Sequence, residues 1–240
     1  MQVQIATARS AKKQEQGETY DADECIWTML QSAGMSQMAE LINTIHETAP
    51  KPGSLIVVDL KPLPFRWDEW QPVLFSAVDI CTHLQIARMY VTSTQASAID
   101  FLQFMAERYP FPITEIRTGA NPEFTKLGAL QSHHQFTAEA RKQGIFHSIV
   151  LDTTEQPILG LASKYSYAAT LEGNLDGASK EKIVNGLTTF LFFHNNHRSL
   201  ASLGGLTPLQ KLNSFEGYEH IPWFDPYVPN EIRKAGNGSH

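Results

Sequence analysis

The pattern of apolar and polar positions is densest between residues 55 and 91, where three strand-like runs follow one another. The first, 55–60, is a nearly continuous β-branched apolar run ending on a single carboxylate, Asp59. Such a run predicts a strand covered on both faces. The second, 72–80, and the third, 83–91, read the same way, and the loop between the first two carries Pro62, Pro64, Pro72, Trp67 and Trp70. Ser93 and Thr94 then predict a helix cap for residues 95–108, with Ile99, Leu102 and Met105 on one face. Pro110, Phe111 and Pro112 stop that helix, and 113–118 reads as a fourth strand. Residues 136–143 predict a short helix ended by Gly144, and 145–151 a fifth strand. A further helix is expected from Pro157 to about Leu171. Ser179 caps a strong one in which Ile183, Leu187, Phe190, Leu191 and His194 share a face.

Before the strands the pattern is weaker. Residues 1–22 have no clear period and predict a loose arm, whereas 23–50 predict a short helical segment broken at Gly34. The main domain is expected over 51–213, followed by an irregular aromatic and proline-rich tail over 214–240. The element order β-β-β-α-β-α-β-α-α, with an acid on the first strand, is a ribonuclease-H-like arrangement. The expected fold is therefore α/β, with a five-stranded mixed sheet flanked by helices.

Composition narrows the chemistry. The 240 residues are 42% hydrophobic and 18% charged, sufficient for a sizeable core. A net charge of −6 argues against a broad non-specific nucleic-acid surface, which needs clustered Lys and Arg. Cys25 and Cys81 are too few and too scattered for a zinc site or a disulfide framework. His133, His134, Glu139 and His147 are irregularly spaced and read as a polar loop plus one strand residue rather than a metal site. With neither a signal-like segment nor an apolar run of membrane length, the expectation is a soluble, cytoplasmic protein that does not enter a membrane.

Five segments, in order, resemble the catalytic core of DDE transposases and retroviral-type integrases, especially the bacterial insertion-sequence kind. Residues 52–60 (PGSLIVVDL) resemble the first strand of that family, and 74–83 (LFSAVDICTH) its second strand and turn. Residues 116–125 (IRTGANPEFT) resemble the segment written I-x-T-D-N-G-x-E-F, and 144–147 (GIFH) the G-I-x-H strand. Residues 193–198 (FHNNHR) and 203–208 (LGGLTP) resemble the closing pattern. The resemblance implies Asp59 as the first of three acids that hold two divalent metals for phosphodiester chemistry. Asp79 is, by the same resemblance, a structural residue.

The other two acids are missing from register. The second falls on Gly119, and the third, counted from His147, falls on Ala162, where the chain reads EQPILGLA over 155–162. A hydrogen and a methyl group cannot ligate magnesium. The expectation is thus a protein related to DNA integration but catalytically inactive, needing no cofactor and kept as a binding or oligomerisation module. Its expected partners are further copies of itself or a related transposase. Two alternatives stand beside it. One is an active magnesium- or manganese-dependent polynucleotidyl transferase using Asp152 and Glu155 as substitute acids. The other is a non-catalytic DNA-binding regulator, with Arg198 and Lys211 as DNA-contact candidates.

Overall fold

The computed structural model describes residues 49–66, 69–125, 134–150 and 179–225. The expected arm, most of the helical segment before residue 50, the helix from Pro157 and the end of the tail lie outside the described residues. Within them the five strands are β1 (Ile56–Pro62), β2 (Val73–Asp79), β3 (Gln85–Tyr90), β4 (Glu115–Gly119) and β5 (Phe146–Val150). The helices are α1 (Gln95–Arg108), α2 (Gln135–Lys142), α3 (Lys180–Asn196) and the short α4 (Pro208–Asn213). One sheet holds all five strands in the order β3-β2-β1-β4-β5, with β1 at its centre. The pairs β1–β2 and β2–β3 are antiparallel, and β1–β4 and β4–β5 are parallel.

The alternation along β1 explains why the sheet is buried on both faces. Ile56 and Val58 join a core with Phe75, Phe101, Met105, Phe124 and Phe136, which seats α1 and α2. Leu55 and Val57 point the other way. On that second face α3 lays Ile183, Val184, Leu187 and Leu191 against Leu63, Leu74, Ala87 and Met89. Phe75 lies at the heart of the first core, with Tyr90, Phe101 and Phe124 rings 5.0, 5.6 and 6.0 Å from its own.

Capping fixes the helix starts where the sequence puts them. Thr94 accepts from the Ser97 amide at 3.1 Å, and Ser179 accepts from Lys182 at 3.3 Å. At α4, Thr207 and Gln210 form a reciprocal capping box. A buried Arg88 ties α1 to β3: its guanidinium lies 3.1 Å from Asp100 and over the Phe104 ring at 4.9 Å, while Tyr90 donates to Asp100 at 2.6 Å. Among the described residues no helix is long and apolar enough to cross a membrane.

One local expectation needs correction. β1 does not stop at Leu60 but continues through Lys61 and Pro62, because its antiparallel pairing with β2 runs to Pro62–Val73. The sheet partner, rather than the end of the apolar run, sets the strand's length. Past Asn213 the chain packs as irregular structure, in line with its aromatic and proline-rich sequence: Phe224 is buried, and Tyr218 and Ile221 lie against the first core.

Candidate functional site

Asp59 sits half-buried on the central strand, directly opposite Ser76 of β2. By alternation it lies on the face of Leu55 and Val57. On its other side β1 pairs with β4 through Ile56–Ile116, Val57–Arg117 and Val58–Thr118. The pairing ends at Val58–Thr118, and Asp59 and Gly119, the last residue of β4, are the next residues along the two strands. A carboxylate on β1 and a hydrogen on β4 therefore follow directly on the last paired positions.

The surroundings of this pair are polar but already engaged. Arg117, two residues before Gly119 and on the same face, donates to Glu115 at 2.8 Å and to Ser148 of β5 at 3.3 Å. Ser148 itself donates to Glu115 at 2.6 Å. Beyond β4, Glu123 accepts a hydrogen bond from the Ser93 hydroxyl. The His134 ring lies 2.9 Å from the Gln95 side-chain amide.

Behind Gly119 runs a chain of three side chains that sequence reasoning missed. Thr118 Oγ1 lies 3.0 Å from His147 Nε2, and Thr137 Oγ1 lies 2.8 Å from His147 Nδ1. Thr118 spends its only hydroxyl proton on the Gly119 carbonyl at 3.0 Å. Toward His147 it can only accept, so the ring carries its proton on Nε2, and Nδ1 accepts from Thr137. Burial, aided by the neighbouring His134, pushes the His147 ring down to about 4. His147 is thus a neutral brace joining α2, β5 and the end of β4. Its place on a strand was legible in the sequence; its two threonine partners, 10 and 29 residues away, were not.

The other singled-out residues divide clearly. Asp79 is buried in a purely structural setting: it accepts from Gly53 N–H at 3.0 Å, Thr82 N–H at 2.8 Å and the Thr82 hydroxyl at 2.6 Å. Glu139 pairs with Lys142 at 2.9 Å. Lys211 lies over the Phe215 ring at 5.2 Å, and Arg198 is half-buried just past α3. Asp152, Glu155 and Ala162 lie outside the described residues. Among the described residues no group of three or more His, Cys, Asp or Glu side chains stands together to hold a metal ion.

A mixed five-stranded sheet in this order, flanked by helices and with an acid on its central strand, is a ribonuclease-H-like fold of the integrase-core kind. A solved structure agrees. The cryo-EM structure of the simian T-cell lymphotropic virus intasome in complex with PP2A regulatory subunit B56 gamma matches with a TM-score of 0.51 and 18% identity, covering 78% of this chain and 59% of that one. The present chain therefore spans about three fifths of that relative's length. The BIV integrase catalytic core matches at 0.47 with 19% identity, over 65% of this chain and 91% of that one. The HTLV-2 integrase catalytic core, in a dimeric form with magnesium, matches at 0.45 with 19% identity, over 69% and 98%. At such identities the likeness is one of fold. No family model matches the sequence. No curated protein matches it either.

Proposed function

We propose that this chain is an integrase- or transposase-core relative, of the bacterial insertion-sequence kind, that no longer catalyses strand transfer and serves in the cytoplasm as a binding or oligomerisation module. The observation that supports this reading is the β1–β4 register, paired through Val58–Thr118, with Asp59 and Gly119 at the next step along the two strands. Two-metal phosphodiester chemistry requires carboxylates that bridge and flank both ions. Gly119 offers a hydrogen at the second position and Ala162, by the motif count, a methyl at the third. One carboxylate offers too few oxygen ligands to hold two divalent ions in place of their water.

The test is direct. The full chain is incubated with magnesium or manganese and duplex DNA carrying varied ends, and its melting temperature is followed as manganese is added. The expected result is neither metal-dependent cleavage or joining nor a saturable rise in melting temperature. Cleavage that needs metal and disappears in Asp59→Asn would overturn the reading and turn attention to Asp152 and Glu155.

A further inference from the structure

Three elements meet at the end of the sheet remote from Gly119: the β2–β3 turn, the last turn of α3, and α4. The contact is made by consecutive side chains. His194 donates from Nε2 to the carbonyl of His83 at 3.1 Å, since a carbonyl can only accept. Asn195 accepts from the Gln85 N–H at 2.8 Å and donates to the Gln85 carbonyl at 2.8 Å. Two adjacent residues thus grip the backbone of the turn and of the edge strand β3 across 110 positions of chain. Asn195 does for β3 what a further strand would do.

The charges around this grip are lopsided. His194 and His83 are both buried. His194 faces His83 across the contact and Arg198 just past the end of its own helix, and Lys211 of α4 acts on His83. From the turn itself come Asp79 and the Cys81 thiol, and Tyr109 reaches the same turn by donating to the carbonyls of Ala77 and Leu84 at 3.0 and 3.1 Å. Two cations therefore stand beside two neutral rings, with one carboxylate to offset them. Asp79 is itself pushed up to about 6 by burial, so in mild acid the offset is lost just as the rings seek protons.

We propose that this junction is a proton-operated latch: protonation of His194 and His83 lets go of the β2–β3 turn and frees α3 and α4 from the sheet before the strands themselves come apart. Release uncovers the apolar face formed by Leu63, Leu74, Ala87 and Met89, together with the β3 edge that Asn195 closes.

Hydrogen exchange of the full chain, resolved by amide and corrected for intrinsic rate, tests this from pH 7.5 to 4.5. A ring freed to its ordinary value near 6.5 shifts opening about tenfold per pH unit below that point. The Gln85 amide should lose protection at that slope or more steeply, and at higher pH than Val57 and Val78 in the β1–β2 ladder, which open only as the whole fold loses stability. His194→Gln keeps a side-chain donor for the His83 carbonyl but cannot titrate, and it should flatten the slope at Gln85. The same slope in wild type and His194→Gln would overturn the proposal, as would joint loss at Gln85, Val57 and Val78. Imidazole nitrogen shifts of the wild type give a check that needs no variant. His194 and His83 must take up protons together with the loss at Gln85; uptake while Gln85 stays protected would also end it.

Discussion

Asp59 and Gly119 each follow directly on the last paired residues of the parallel strands β1 and β4, Val58 and Thr118, one with a carboxylate and the other with a hydrogen. Restoring an acid at the second position should therefore build a two-carboxylate pair without rebuilding the fold, because residue 119 is ordinary strand backbone. In chelator, Gly119→Asp should lower the melting temperature, since two neighbouring carboxylates repel by about 1 kcal/mol at such a surface spacing. Manganese should recover the loss in a saturable way. Wild type and Gly119→Asn should show no such recovery, and an equal manganese response in all three would mean the ion binds elsewhere.

The sheet was readable because its strands are strongly apolar and its turns carry Gly and Pro; all five strands and α1, α2 and α3 lie where the pattern puts them, within a few residues. What the pattern could not give was pairing. The motif order put Asp59 and Gly119 on separate strands, but how those strands align is a fact of register, set by Val58 against Thr118. Likewise His194 was legible as a buried residue of the α3 face, whereas its bond to His83, 111 residues away, is a long-range property with no local signature. The true end of β1 was hidden for the same reason, since Lys61 and Pro62 are held by β2 and not by their own propensity.

Gly53 is the tightest backbone position near the sheet. Its φ is +77°, and a Cβ there would fall 2.1 Å from the Pro112 carbonyl oxygen. Its N–H donates to Asp79 at 3.0 Å and its carbonyl accepts from Thr114 at 2.8 Å, so the residue joins the approach to β1, the β2–β3 turn and the approach to β4. Gly53→Ala should cost about 3 kcal/mol or more from strain and lost bonds together. Asp79→Ala, which strands three donors, should cost about 2–4 kcal/mol. Urea midpoints measure both, and a shift below about 1 kcal/mol at either site would refute the role given to this corner.

The histidines and Asp79 pull stability in opposite directions with pH. His83 and His147 are held down to about 4 and His194 to about 3, each first by burial, so the folded protein keeps them neutral where the unfolded chain protonates them near 6.5. Their contribution is complete above pH 6.5 and is lost as the pH falls toward 4. Asp79, raised to about 6, acts the other way: the folded form binds a proton that the unfolded chain does not hold until 3.8. Near pH 5 the unfolded state thus holds about three more protons on histidine and one fewer on Asp79. The net of about two protons makes stability fall by roughly 3 kcal/mol for each unit of decrease in pH. Denaturant melts at pH 7, 6, 5 and 4.5 should show that decline, and a flat profile would contradict the burial of these rings as neutral groups.

The threonine pair around His147 should behave as one unit. Thr137→Val removes the donor to Nδ1, and Thr118→Val removes both the acceptor for Nε2–H and the donor to the Gly119 carbonyl. Each leaves a buried ring nitrogen unsatisfied and should cost about 1–3 kcal/mol, with Thr118→Val the larger because two bonds go. The double variant should cost less than the two single losses added, because the ring can turn or shift once both hydroxyls are absent. Proton and nitrogen spectra of the wild type should place the His147 proton on Nε2. In Thr118→Val that proton loses its acceptor, and the resonance should move upfield or broaden by exchange. Strict additivity of the two variants, or a wild-type proton found on Nδ1, would break the chain of donation traced from α2 through β5 to the end of β4.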